Sequence, residues 1–140
     1  MAKAPELKFQ KHIADFLVRV HHYGELAQAD ISDTEHCLAE DALWDFMNAT
    51  QADALEKLAA DYSTDARAEV FKALRSELAH TPLWLLLRNG LKVRGQELRL
   101  FYPKPRSSES AAAPRYAQNR ISFRPHFYFG EANHEIDFVF

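Results

Sequence analysis

Residues 119–140 have the sequence NRISFRPHFYFGEANHEIDFVF. Over residues 119–129 apolar side chains alternate with basic or polar ones, which predicts a β-strand with one apolar face and one basic face. Residues 130–134 have turn composition, and residues 135–140 resume the alternation of apolar and polar side chains. This stretch therefore predicts a β-hairpin, and its second strand carries an aspartate between two apolar residues.

The chain that precedes the hairpin is predicted to be mainly helical over 5–90 and mainly strands over 91–140, with an exposed loop at 103–114. An amphipathic helix is expected from Pro5 to about His22. The apolar residues that recur along it should form its buried stripe; they are Phe9, Ile13, Phe16, Leu17 and Val20. Candidate helix N-caps farther along are Thr50 (with Asp53), Thr64 and Thr81, and Gly90 ends a helix. A strand is expected over 97–102. This pattern predicts one α+β domain.

Composition narrows the class of protein. The chain has 140 residues of which 47% are hydrophobic, enough for one globular domain. No apolar run approaches the roughly 18 residues of a membrane helix, and the start lacks the apolar core of a signal peptide, so a cytoplasmic protein is expected. The single Cys37 cannot form an internal disulfide and is expected to be a buried structural thiol.

Charge is distributed unevenly. Residues 1–80 contain 8 Lys and Arg against 15 Asp and Glu, whereas residues 81–140 contain 9 against 5. The C-terminal part is thus basic and rich in aromatic residues, which is compatible with a phosphate-backbone partner. Two solvated faces of opposite charge would give the same count.

Two acids are candidates for chemistry. A carboxylate between Ile136 and Phe138 is costly to bury unless it is paired or binds a cation, which directs attention to Asp137. A basic residue on the neighbouring strand, or water, could equally satisfy it. Glu6 falls beside the apolar stripe of the first helix, where it is either a first-turn carboxylate interacting with the helix dipole or a metal ligand.

Several segments resemble one family. They are Pro5–Leu7, Asn48–Gln51 (NATQ), Leu86–Gly90 (LLRNG), Phe101–Pro105 (FYPKP), Arg115–Arg120 (RYAQNR), Phe123–Pro125 and Glu135–Phe140 (EIDFVF). Together, and in this order, they are similar to the N-terminal region of the R subunit, the DNA-cleaving subunit, of type I restriction endonucleases. The resemblance covers essentially the whole chain. It implies an incomplete α/β fold, in which a helical region leads into an antiparallel hairpin that begins a restriction-endonuclease-like sheet.

The resemblance also implies a site. Asp137 matches the acid of the second motif of a PD-(D/E)xK nuclease, and Glu6 matches the helix acid of the first, so both are expected catalytic and metal-binding residues. The family requires a Glu-x-Lys strand next, and the sequence stops before it. We therefore expect a truncated fragment that is inactive alone. In the whole subunit, carboxylates would hold Mg²⁺ for phosphodiester hydrolysis, and ATP would be used only by motor domains absent from this chain.

Partners follow from the same resemblance. DNA is the expected ligand, with Lys104, Asn119, Arg120 and Arg124 as candidate contacts, and the methylation and specificity subunits of the type I complex are expected protein partners. An apolar strand edge at the end of the chain also predicts self-association of the fragment. Two other classes of function remain open from the residues, namely a noncatalytic nucleic-acid-binding module and a subunit-interaction domain.

Overall fold

The computed structural model describes residues 4–61 and 65–140. Within these ranges six α-helices, one 3₁₀ turn and two small β-sheets are present, which confirms the mixed α+β class. No helix within them is both long and apolar enough to cross a membrane. The elements in chain order are α1 (Ala4–His21), β1 (Gly24–Glu25), the 3₁₀ turn (Gln28–Asp30), α2 (Glu40–Thr50), α3 (Ala52–Asp61), α4 (Ala66–Leu78), α5 (Leu83–Asn89), β2 (Leu91–Val93), β3 (Gln96–Leu98), α6 (Ala113–Tyr116), β4 (Ser122–Phe129) and β5 (His134–Val139).

The chain divides into two compact units. The first combines the residues before Glu40 with those from Arg120 onward and contains α1 and a three-stranded sheet of order β1-β4-β5. β1 runs parallel to the start of β4, and β4 and β5 form the antiparallel hairpin that the sequence predicts. The buried apolar residues of this unit are Ala14, Ile31, Phe123 and Phe127.

Helix α1 has the predicted length but buries a different face. Gln10 and Ala14 are its buried residues, whereas Phe9 is 64% exposed and Phe16 48% exposed. The expectation that the stripe from Phe9 to Val20 faces the core is therefore wrong. The side of α1 that packs inward is thus the one that carries Gln10 and Ala14, although it is less apolar than the stripe.

The second unit, Glu40–Asn119, packs helices α2 to α5 with the β2–β3 hairpin. Its core consists of Phe46, Met47, Leu55, Leu58, Val70, Phe71, Leu74, Leu86, Leu91, Val93 and Leu98, all of them buried. An ion pair of 2.6 Å between Arg75 Nη1 and Glu40 Oε1 joins the start of α2 to α4. Apolar burial drives the association of these helices, because removing their apolar surface from water contributes far more free energy than any single polar contact.

Helix ends were predicted in part. Helix α5 ends at Gly90 as expected, with the left-handed φ of 81° that favours glycine. The prediction that Thr50 caps a helix is wrong, because Thr50 closes α2 and its Oγ1 donates to the Phe46 carbonyl at 2.8 Å. Thr64 lies outside the described residues, and α4 is capped by the Asp65 carboxylate, which accepts from the Ala68 amide at 3.0 Å.

Two side-chain amides continue the β3 edge beyond Leu98, where a strand was expected to run to Tyr102. Gln51 accepts from the Arg99 amide at 2.6 Å and donates to the Arg99 carbonyl at 2.8 Å. Asn119 accepts from the Tyr102 amide at 2.9 Å and donates to the Tyr102 carbonyl at 2.7 Å. These side chains supply the paired hydrogen bonds that a neighbouring strand would give, so β3 is shorter than predicted. We call each of them an amide clamp.

Candidate functional site

The β4–β5 hairpin separates an apolar face from a polar one. Pro125 pairs with Phe138 and Phe127 with Ile136, and the register is constant along the hairpin. Phe123 and Phe127 are fully buried, and the Phe123 ring lies 6.1 Å from that of Phe138. Because side chains alternate along a strand, Asp137 projects to the opposite face, where it is exposed to solvent.

By this register His126 occupies the position opposite Asp137, which is the one position between Arg124 and Phe129 at which the two strands do not pair. Its φ of 52° falls in the left-handed region, which is rare for a residue other than glycine within a strand and costs on the order of 1–3 kcal/mol. Its Nδ1 lies 2.6 Å from Glu135 Oε1, so the carboxylate fixes the orientation of the imidazole ring. His22, Cys37 and Asn133 of the first unit also have positive φ, but His126 is the one that lies within a strand, which makes this stretch of the hairpin a candidate site.

The polar face of β5 carries two carboxylates, Glu135 and Asp137, two residues apart. Carboxylate oxygens are the ligands that hard divalent cations prefer, so the donor chemistry fits Mg²⁺. Within residues 4–61 and 65–140, however, no group of three His, Cys, Asp or Glu side chains is arranged to hold a metal ion. Sequence analysis singled out Asp137 but missed Glu135 and the constraint on His126; the period-two spacing of the two acids was the available signal.

Glu6, the other predicted metal ligand, lies in the first turn of α1 and is exposed. A carboxylate in this position interacts favourably with the positive end of the helix dipole. Glu6 belongs to no group of three metal-ligating side chains among the residues that the structure describes. Its role as a metal ligand, like that of Asp137, stays a prediction.

The predicted DNA contacts fall into two kinds. Lys104 and Arg120 are exposed, so their charges are open to a phosphate partner. Arg124 is half-buried and donates from Nη1 to the Leu26 carbonyl at 3.3 Å, and Asn119 forms the amide clamp on Tyr102. Arg124 and Asn119 therefore have structural contacts that the sequence did not reveal, and DNA binding by all four residues remains a prediction.

Gln28 holds the other edge of β4 by a third amide clamp. Its Oε1 accepts from the Tyr128 amide at 3.1 Å, and its Nε2 donates to the Tyr128 carbonyl at 2.9 Å. The clamp fixes the backbone two residues after the strained His126. The hairpin that presents Asp137 is thus constrained on both sides of the strain, by Glu135 from β5 and by Gln28 from the 3₁₀ turn.

Cys37 lies in the turn before α2 and is half-buried rather than fully buried as expected. Burial raises the pKa of the Cys37 thiol above its ordinary value of 9.0, and the nearby carboxylate of Asp33 raises it further. Asp33 also accepts hydrogen bonds from the backbone amide and the ring of His36. The thiol is therefore protonated at neutral pH and is a poor nucleophile, which fits a structural role.

No protein-family model, no curated protein and no solved structure matches this chain.

Proposed function

We propose that this chain is the N-terminal part of the DNA-cleaving subunit of a type I restriction endonuclease. The proposal rests on the ordered family-like segments, and the observation that carries it is the exposed Asp137 on the second strand of a hairpin. In this proposal the sheet β1-β4-β5 is the beginning of a restriction-endonuclease-like sheet. The strained His126 directly across from Asp137 supports a functional role for the polar face of that hairpin.

The proposed chemistry is metal-assisted hydrolysis of a phosphodiester. A bound Mg²⁺ would polarise the phosphoryl oxygen and lower the pKa of an attacking water. Asp137 would hold the cation through a carboxylate oxygen, and Glu6 is proposed as a second acid of the site. Glu135 would orient His126, whose ring can donate a hydrogen bond to a ligand that approaches the polar face.

Other parts of the whole enzyme are proposed from the resemblance alone. In the complete subunit, hydrolysis of unmodified foreign DNA would be coupled to ATP-driven translocation by motor domains, in the cytoplasm and together with the methylation and specificity subunits. This chain contains no phosphate-binding Gly-rich loop with a lysine, so no ATP contact is proposed for its residues. The resemblance does not assign the family's Glu-x-Lys pair to any of residues 1–140, and we propose that these residues do not cleave DNA by themselves.

Paramagnetic relaxation by Mn²⁺ tests the metal role, because it detects weak binding that an incomplete ligand set would give. In an amide NMR spectrum we expect Mn²⁺ to broaden the signals around Asp137 selectively, and Asp137→Asn to abolish that broadening. Asp53→Asn, which removes an exposed acid in the first turn of α3, is the matched control and should leave it unchanged. Broadening that is absent from β5, or equal in both variants, would refute the role of Asp137 as a metal ligand.

A noncatalytic nucleic-acid-binding module is the second candidate. The exposed charges of Lys104 and Arg120 and the exposed ring of Tyr128 favour it. Such a module would bind DNA without divalent metal, and its affinity would fall steeply with salt. Titration of a labelled duplex with and without Mg²⁺ separates the two candidates, since only the nuclease proposal expects Asp137→Asn to alter the effect of the metal.

A further inference from the structure

An apolar stripe on α1 is left exposed by the packing of the first unit. Phe9, Phe16 and Val20 are 64%, 48% and 54% exposed, and Ile13 between them is half-buried. Projected at 100° per residue, these four side chains fall within an arc of about 60° on the helix surface. The buried residues Gln10 and Ala14 lie roughly 100–140° away around the helix. The stripe is therefore separate from the face that packs into the protein.

The spacing of the stripe is that of a helix-pairing seam. Steps of four, three and four residues from Phe9 to Val20 match the a and d positions of a heptad, at which the side chains of one helix insert between those of another. The seam extends over about 16 Å at 1.5 Å per residue, which suits about three turns of a partner helix. Large aromatic residues such as Phe9 and Phe16 are typical anchors of protein interfaces.

Charge beside the stripe selects the partner. On the flank that faces away from the protein, His12 and Arg19 occupy the heptad positions next to the seam, Lys8 lies one step farther round, and Asp15 lies beyond Lys8, so the flank is basic where it borders the seam. A helix with acidic residues beside its own apolar seam would complement this flank. We infer that the exposed face of α1 is a docking surface for an amphipathic helix of another protein, with an apolar a/d seam flanked by Glu or Asp.

The same geometry disfavours two other occupants. In an antiparallel pair with a second copy, Arg19 of one chain would approach His12 of the other; a parallel pair would place His12 opposite the uncharged Leu17 and would leave Arg19 opposite a position beyond His21, where α1 ends. An anionic bilayer prefers a polar face rich in Lys and Arg, whereas α1 also carries the acids Glu6 and Asp15. The inference does not depend on the nuclease proposal.

Two synthetic helical peptides of 18 residues test the inference with the full chain. Both carry Leu and Ile at a and d; one has Glu at e and g, and the other has Lys there. Fluorescence anisotropy of the labelled peptides should show that the Glu-flanked peptide binds about tenfold more tightly than the Lys-flanked one. Arg19→Glu should reduce this preference roughly threefold or more, and high salt should narrow it.

A matched pair of variants locates the binding face. Phe16→Asp should weaken binding of the Glu-flanked peptide by about tenfold or more, whereas Val18→Asp, on an exposed position of the same helix away from the stripe, should change it less than about twofold. Both residues are exposed, so both variants should fold, and circular dichroism checks that they do. The inference is overturned if neither peptide binds, if both bind equally, or if Phe16→Asp and Val18→Asp act alike. It is also overturned if the unaltered chain dimerises in sedimentation, or floats with anionic vesicles, and Phe16→Asp abolishes that behaviour.

Discussion

Replacing Asn119 by Ala removes the two hydrogen bonds that join its amide to the backbone of Tyr102. Each such bond contributes about 1 kcal/mol net, and the site is half-buried, so water replaces the lost partner only in part. We expect the free energy of unfolding of the second unit to fall by about 2 kcal/mol. Both tryptophans, Trp44 and Trp84, lie in this unit, so urea unfolding followed by tryptophan fluorescence reports its stability directly.

Neighbouring substitutions sharpen this prediction. Gln118→Ala alters an exposed side chain beside Asn119 and should change stability by less than about 0.5 kcal/mol. Asn119→Asp keeps an acceptor for the Tyr102 amide but places a carboxylate oxygen against the Tyr102 carbonyl in place of the donor; because two acceptors repel each other and the site is half-buried, it should destabilise about as much as Asn119→Ala. If Asn119→Ala unfolds at the same urea concentration as the unaltered chain while DNA binding is lost, the clamp is energetically unimportant and Asn119 is a DNA contact.

Three further predictions concern other parts of the fold. In the same urea titration, Gly90→Ala should destabilise the second unit by about 2 kcal/mol or more, because its φ is 81° and an added Cβ would lie 2.9 Å from the Leu98 carbonyl oxygen. Gly95→Ala is the control: Gly95 has a similar φ, but an added Cβ would meet nothing within 4 Å, so this substitution should destabilise less. Asp65→Ala should lower the stability of that unit by about 1 kcal/mol through loss of the α4 cap, and an unchanged unfolding curve would show the cap to be dispensable. The raised pKa of Cys37 means that its contribution to stability is present below pH 9.0 and is lost as pH rises beyond it, so Cys37→Ala should flatten the alkaline limb of a stability-pH profile.

Sequence periodicity predicted the helix α1 but not the side on which it packs. Period analysis establishes that Phe9, Phe16 and Val20 share a face, yet it cannot identify the face that neighbouring elements cover. The sheet of this unit also depends on a contact that is remote in sequence, because Gly24 and Glu25 in β1 pair with Ser122 and Phe123. A two-residue strand has no pattern of its own, so this pairing could not be predicted from the sequence.

The strand that was expected over 97–102 shows a second limit. The alternation there is correct for an extended segment, but its partner is a pair of side-chain amides rather than a backbone strand. Gln51 lies in the connection between α2 and α3, and Asn119 follows α6, so neither carries a strand signal. By contrast, the hairpin was predicted with its turn and both strands, because local alternation and turn composition are sufficient to define it.

The sequence directed attention to Asp137 because a carboxylate between apolar strand residues is costly to bury. Asp137 is exposed on the polar face, so this burial argument does not apply to it, and its role as a metal ligand stays a prediction. Pro125 in the middle of the predicted strand indicated an edge or a bulge, but the sequence did not indicate that the next residue, His126, would take a left-handed φ. Backbone strain of this kind depends on the constraints of the folded hairpin and leaves no compositional mark.

The borders of the sheet in the first unit are β1 and β5, and the β4 backbone between them is engaged on its β1 side. On the β1 side of β4, the Leu26 amide donates to the Phe123 carbonyl and Gln28 saturates the backbone of Tyr128, so an incoming strand finds these groups already engaged. β5 forms the opposite border of the strand order. A strand that added beside β5, from this polypeptide or from another, would convert the strand that carries Asp137 from a border strand into an interior one.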